Sequence, residues 1–105
     1  MRECRRYEIL LPRQFNDGTP VPSDLLSQTF RDLENRFGAV SAEQQTIVGS
    51  WREGEEPYHD ELLRMFVDVP HSEEHERFFS EFKAKLEGRF KQVEIRVTSH
   101  DIRVL

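Results

Sequence analysis

At 105 residues the chain is long enough for one domain and too short for two. Its net charge of −5, with both signs mixed along the sequence, argues against nucleic-acid binding, which needs a basic face; only Arg2, Arg5 and Arg6 cluster. The single cysteine, Cys4, excludes an internal disulfide and suits a reducing, cytoplasmic compartment; no apolar run approaches the roughly 20 residues of a membrane span. Residues 1–6 lack the apolar segment of a secretory signal. Eight phenylalanines at regular spacings supply a core that the polar remainder would not.

In chain order, Tyr7–Pro12 alternates apolar and polar residues and reads as a strand that ends at a proline. Asn16-Asp17-Gly18-Thr19-Pro20-Val21-Pro22 is turn chemistry, in a loop longer than most. Ser23 is placed as an N-cap, and Leu26, Phe30, Leu33 and Phe37 recur at helical spacing until Gly38 supplies a left-handed stop. Gln44–Trp51 is rich in β-formers, with Gln45, Ile47, Gly49 and Trp51 on one face and Thr46, Val48 and Ser50 on the other. After the charged turn Arg52–Pro57, Leu62–Val69 alternates again and closes a hairpin. Ser72 caps a second helix whose stripe is Phe79, Phe82, Leu86 and Phe90, with Phe78 beside it and Gly88 near its end. Val93, Ile95 and Val97 begin a fourth strand, which the tail Ile102–Leu105 extends.

The order βαββαβ predicts an α+β, ferredoxin-like sandwich: a four-stranded antiparallel sheet in the order 4-1-3-2 with both helices on one face. Pairing is expected to be antiparallel outside the central pair. A βαβ-plus-hairpin variant with another strand order is the alternative.

The segments Arg6–Pro12, Phe15–Gly18, Arg36–Ser41, Asp60–Leu62 and Phe66–Pro70 resemble a family of small bacterial proteins, many of them cyanobacterial, of unknown function. The resemblance spans nearly the whole chain. It implies a stand-alone soluble bacterial domain and carries over no catalytic residue.

No phosphate-binding glycine loop, paired-cysteine zinc pattern or nucleophile elbow is present. His71 and His75 have the i, i+4 spacing of a zinc pair, but with Ser72 as N-cap His71 lies outside the helix, and solvated histidines account for the spacing as well. In the expected topology one rim gathers Cys4-Arg5-Arg6, Trp51-Arg52, Tyr58-His59-Asp60-Glu61 and Ser99-His100-Asp101. There Cys4, His59 and His100 are candidate metal ligands, and His100 is a candidate general base oriented by Asp101 or Asp60. The competing account is that strand ends are polar because they meet water. On the open sheet face Leu10, Val48, Leu62 and Phe66 form an apolar centre with a charged margin, the anatomy of an interface. The leading expectation is a non-enzymatic interaction or regulatory module that self-associates or docks a protein partner on that face. The alternative is a ligand- or metal-binding domain, or an enzyme, working at the rim. No cofactor, nucleic acid or membrane partner is expected.

Overall fold

The structure, a computed structural model, describes residues 1–49 and 58–105, and the side chains of all of these but 49, 58 and 59. The elements are β1 (Arg2–Pro12), α1 (Ser23–Phe37), β2 (Ser41–Gly49), β3 (Tyr58–Val69), α2 (Glu73–Arg89) and β4 (Arg96–Val104). They form a four-stranded sheet in the order β2-β3-β1-β4, the ferredoxin-like arrangement read from the sequence. Trp51 and the turn Arg52–Pro57 lie outside the described residues.

Every pairing is antiparallel, including the central one: Arg5 faces Val69 and Pro12 faces Leu62 across β1 and β3. This corrects the expectation of an exception at the centre. It follows from the chain path, since each helix returns the chain to start its next strand at the same end as the one before.

The first strand begins five residues earlier than its alternation suggests, because Arg2–Arg6 pair with β4 and their charged side chains tolerate a strand end. β2 starts at Ser41, and its register inverts the expected faces. Gln44 lies opposite Leu63 and Ala42 opposite Met65, so even-numbered residues of β2 share the helix-covered face. Ile47 therefore falls on the open face opposite Asp60, and Val48 pairs with His59 on the other. A shift of one residue exchanges the two faces of a strand. β4 begins at Arg96 and runs unbroken to Val104, so Ser99–Asp101 lie within it rather than beyond its end. Val93, read as the first residue of the fourth strand, lies before it, fully exposed in the turn after α2. That turn is set by Lys91 in the left-handed region (φ 55°) and by the Glu87 carboxylate, which accepts from the Ile95 N–H at 3.1 Å. This bond is the foremost reason that the Glu87 carboxyl lies below its ordinary value, with a hydrogen bond from Lys83 adding to it.

Both helix stripes hold. In α2, Phe79, Phe82 and Leu86 are buried with Phe90 just past its end, and Ser72 Oγ accepts from the His75 N–H as an N-cap. In α1, Leu33 is buried and Leu26, Phe30 and Phe37 pack around it. Ser23 is the first helical residue, and the cap position is Pro22, which makes no side-chain bond. Gly38 ends the helix at φ 82°, its N–H donating to the Glu34 carbonyl at 2.7 Å. Three rings join the layers: Phe79 of α2 stacks on Tyr7 of β1 at 4.1 Å and on Phe37 of α1 at 5.4 Å. A second tie is polar. Arg89 donates to the buried Thr29 hydroxyl at 2.8 Å and to Asp32 at 2.9 Å, bridging the two helices.

Candidate functional site

Antiparallel pairing at the centre separates the residues expected on one rim. The start of β1 meets the ends of β3 and β4, so Cys4, His100 and Asp101 share one end of the sheet. His59 and Asp60 stand at the other end, where the start of β3 meets the end of β2. Nine residues of β3 separate His59 from Asp68, which lies in the row of Arg6 and His100; at about 3.3 Å per residue that is roughly 30 Å. A metal held jointly by Cys4, His59 and His100 is ruled out by this register. Among the described residues no group of three His, Cys, Asp or Glu side chains is placed to hold a metal ion.

The expected base pair is also divided. His100 and Asp101 are successive strand residues and alternate between faces. His100 lies opposite Arg6 on the open face, whereas Asp101 faces Arg5, whose Nη1 donates to it at 2.8 Å. That hydrogen bond is the main reason the Asp101 carboxyl sits below its ordinary value. Asp60, the other candidate orienting group, is at the far end.

Near this end a cleft of about 540 Å³ is lined by Glu3, Cys4, His71, Asp101, Ile102 and Arg103. Cys4 is buried opposite Ile102, outside the main core. His71 and His75 do not act together: His75 sits edge-on to Phe37 with Nδ1 2.8 Å from the Pro70 carbonyl, while His71 lines the cleft. Glu3 and Arg103 had no sequence signal, since only the β1–β4 register pairs them, and His71 drew notice only for its spacing to His75.

The centre of the open face is ionic rather than apolar. Arg6 makes a two-point pair with Asp68, and Arg64 pairs with Glu8 and, at 2.8 Å, with Glu43. Both guanidiniums lie over the Phe66 ring, 4.6 and 4.1 Å from its centroid. The Asp68 and Glu8 carboxyls are held below their ordinary values, chiefly by the hydrogen bonds from Arg6 and Arg64. Leu10 and Leu62 remain on this face and Ile47 joins them, whereas Val48 belongs to the other face, well exposed beyond the helices.

At the far end a cleft of about 600 Å³ lies between the β1–α1 loop and the start of β3. Its lining includes Phe15, Asn16, Asp60, Glu61, Leu62 and Gln92. The loop is folded on itself: Phe15 N–H donates to the Thr19 carbonyl at 2.8 Å, Val21 N–H to Arg13 at 2.9 Å, and Gly18 turns at φ 87°. Asp17 Oδ1 accepts from the Thr19 N–H and hydroxyl, which lowers its carboxyl from the ordinary value. The length of this loop, its Asn-Asp-Gly turn and the rim residues Asp60 and Glu61 were sequence signs here; Gln92 gave none.

No helix among the described residues is long and apolar enough to cross a membrane. No protein-family model matches the chain, and no curated protein matches it. Two solved structures of a phage SAM lyase share the fold. The complex with S-methyl-5'-thioadenosine aligns at a TM-score of 0.60 and 14% identity, over 96% of this chain and 90% of that one. The apo structure aligns at 0.64 and 16% identity, over 94% and 81% respectively.

Proposed function

We propose that the chain is a small-molecule-binding domain, and an enzyme, whose ligand is an adenosine thioether or sulfonium. The observation that carries this reading is the fold shared with phage SAM lyase over nearly the full length of both chains, one of those structures holding S-methyl-5'-thioadenosine. Both end clefts, at about 540 and 600 Å³, have the size of a site for such a ligand. One fold hosts many chemistries, so the reading is tested on the ligand itself. Titration calorimetry with S-methyl-5'-thioadenosine and with S-adenosylmethionine is expected to give saturable binding of at least one. Incubation with S-adenosylmethionine, followed by mass spectrometry, is expected to show its turnover. No binding of either compound up to about 1 mM, a level that still reports about 4 kcal/mol of binding free energy, would reject the reading.

A second reading is self-association over the open face, supported by the apolar strip that Leu10, Leu62 and Ile47 make beside the ionic centre. Native mass spectrometry of the wild type and Leu10→Asp separates it from the first. A dimer converted to monomer supports it, and a monomeric wild type removes it.

A further inference from the structure

The geometry points to the far-end cleft as the nucleoside site, with Asn16 and Gln92 reading the base and Asp60 facing the ribose hydroxyls and any cationic sulfur. This rests on the adenosine reading above and adds the place and the recognition chemistry.

The two end clefts differ in what they offer a ligand. In the near-end cleft the charged groups are already matched: Asp101 is held by Arg5 at 2.8 Å, and Arg103 approaches Glu3 at 3.9 Å. Its lining has no amide side chain and no aromatic ring other than His71. The far-end cleft combines amides, carboxylates and apolar surface. Asn16 and Gln92 carry both donor and acceptor atoms, which is what the edge of an adenine requires. Gln92 Nε2 is fixed by donation to the Phe90 carbonyl at 3.1 Å, so its amide is set in one orientation. Phe15 and Leu62 give the apolar contact that a base or thioether needs.

The Asp60 carboxylate decides which nucleoside. Among the described residues Asp60 is in no ion pair, whereas Glu61, on the opposite face of β3, accepts from the Thr46 hydroxyl at 2.9 Å. Carboxylates accept from vicinal hydroxyls and attract a sulfonium, and they repel phosphate. The site therefore takes a nucleoside without a phosphate, and prefers the sulfonium to the thioether. It lies on loop and strand ends carried by a rigid sheet, where binding groups are commonly presented.

The test is calorimetry with S-adenosylmethionine, S-methyl-5'-thioadenosine and AMP on three proteins: wild type, Asp60→Asn and Asp101→Asn. The wild type is expected to bind the sulfonium most tightly and AMP least. Asp60→Asn is expected to weaken S-adenosylmethionine by about tenfold or more, as for loss of a hydrogen bond to a charged group. Asp101→Asn at the opposite end is expected to bind as the wild type does. Amide hydrogen exchange of the wild type gives a second measurement that needs no variant: ligand should slow exchange in residues 13–21. Binding lost only in Asp101→Asn, with exchange unchanged in 13–21, would move the site to the other end and leave the adenosine reading standing. A wild type that binds AMP as tightly as the sulfonium overturns the carboxylate role, and one that binds none of the three overturns the site and the reading together.

Discussion

Arg6 and Asp68 stand directly opposite each other on β1 and β3 and meet at two points, Nε to Oδ1 at 2.7 Å and Nη2 to Oδ2 at 2.9 Å. The planar fork matches the carboxylate, and both side chains are largely covered, so the pair is stronger than an ordinary surface contact. Asp68→Asn is expected to cost about 1 kcal/mol. The carboxyls of Asp68 and Glu8 are both depressed in the folded state, first by the arginine hydrogen bonds. Their stabilisation is therefore present above the unfolded carboxylate pKa near 4 and lost as pH falls through the lower folded values. Urea midpoints measured at pH 5 and pH 3 are expected to fall, and to fall less for Asp68→Asn; equal slopes for the two proteins would contradict the pairing.

Phe79 joins three elements by stacking on Tyr7 and Phe37, and it is 3% exposed. Truncation removes both stacks and leaves a cavity that the sheet is too stiff to close. Phe79→Ala is expected to lower unfolding free energy by about 3–5 kcal/mol in denaturant titration, and a loss below about 1 kcal/mol would show that the stack is not central.

Arg89, with its side chain 9% exposed, bridges Thr29 and Asp32 of the facing helix. Arg89→Ala leaves Asp32 without its partner and removes the aliphatic stem from between the helices. A cost of about 2–4 kcal/mol is expected from chemical denaturation. Asp32→Asn, which keeps a hydrogen-bond acceptor, is expected to cost less than half as much.

The two glycines at helix ends make opposite predictions. Gly38 sits at φ 82°, where a Cβ is strained, so Gly38→Ala is expected to destabilise by about 1 kcal/mol. Gly88 lies inside the last turn of α2, and a Cβ there meets nothing within 4 Å. Gly88→Ala is expected to stabilise by about 0.5–1 kcal/mol. Thermal midpoints that move in the same direction would refute the assignment of the two roles.

What could be read from the sequence was local. The helical stripe from Leu26 to Phe37 with its Gly38 stop, and the Ser72 cap before the stripe from Phe79 to Phe90, depend on residues a few positions apart. The element order then left few ways to arrange the sheet. Strand register was not legible in the same way. In β2 the alternation of Gln45, Ile47 and Gly49 with Thr46 and Val48 is too weak to choose a face, because an edge strand with exposed side chains on both faces pays little for either choice. The rim of Cys4, His59, Asp60 and His100 failed for a related reason: which strand ends meet is set by pairing direction between segments about 60 residues apart. Likewise the proximity of Asn16, Asp60 and Gln92 exists only once β1 has paired with β3 and α2 has returned the chain to the same end. Sequence alone thus determined the elements and their order, through short-range periodicity and capping. Tertiary structure decided which faces and which ends come together, because those depend on long-range hydrogen-bonded register.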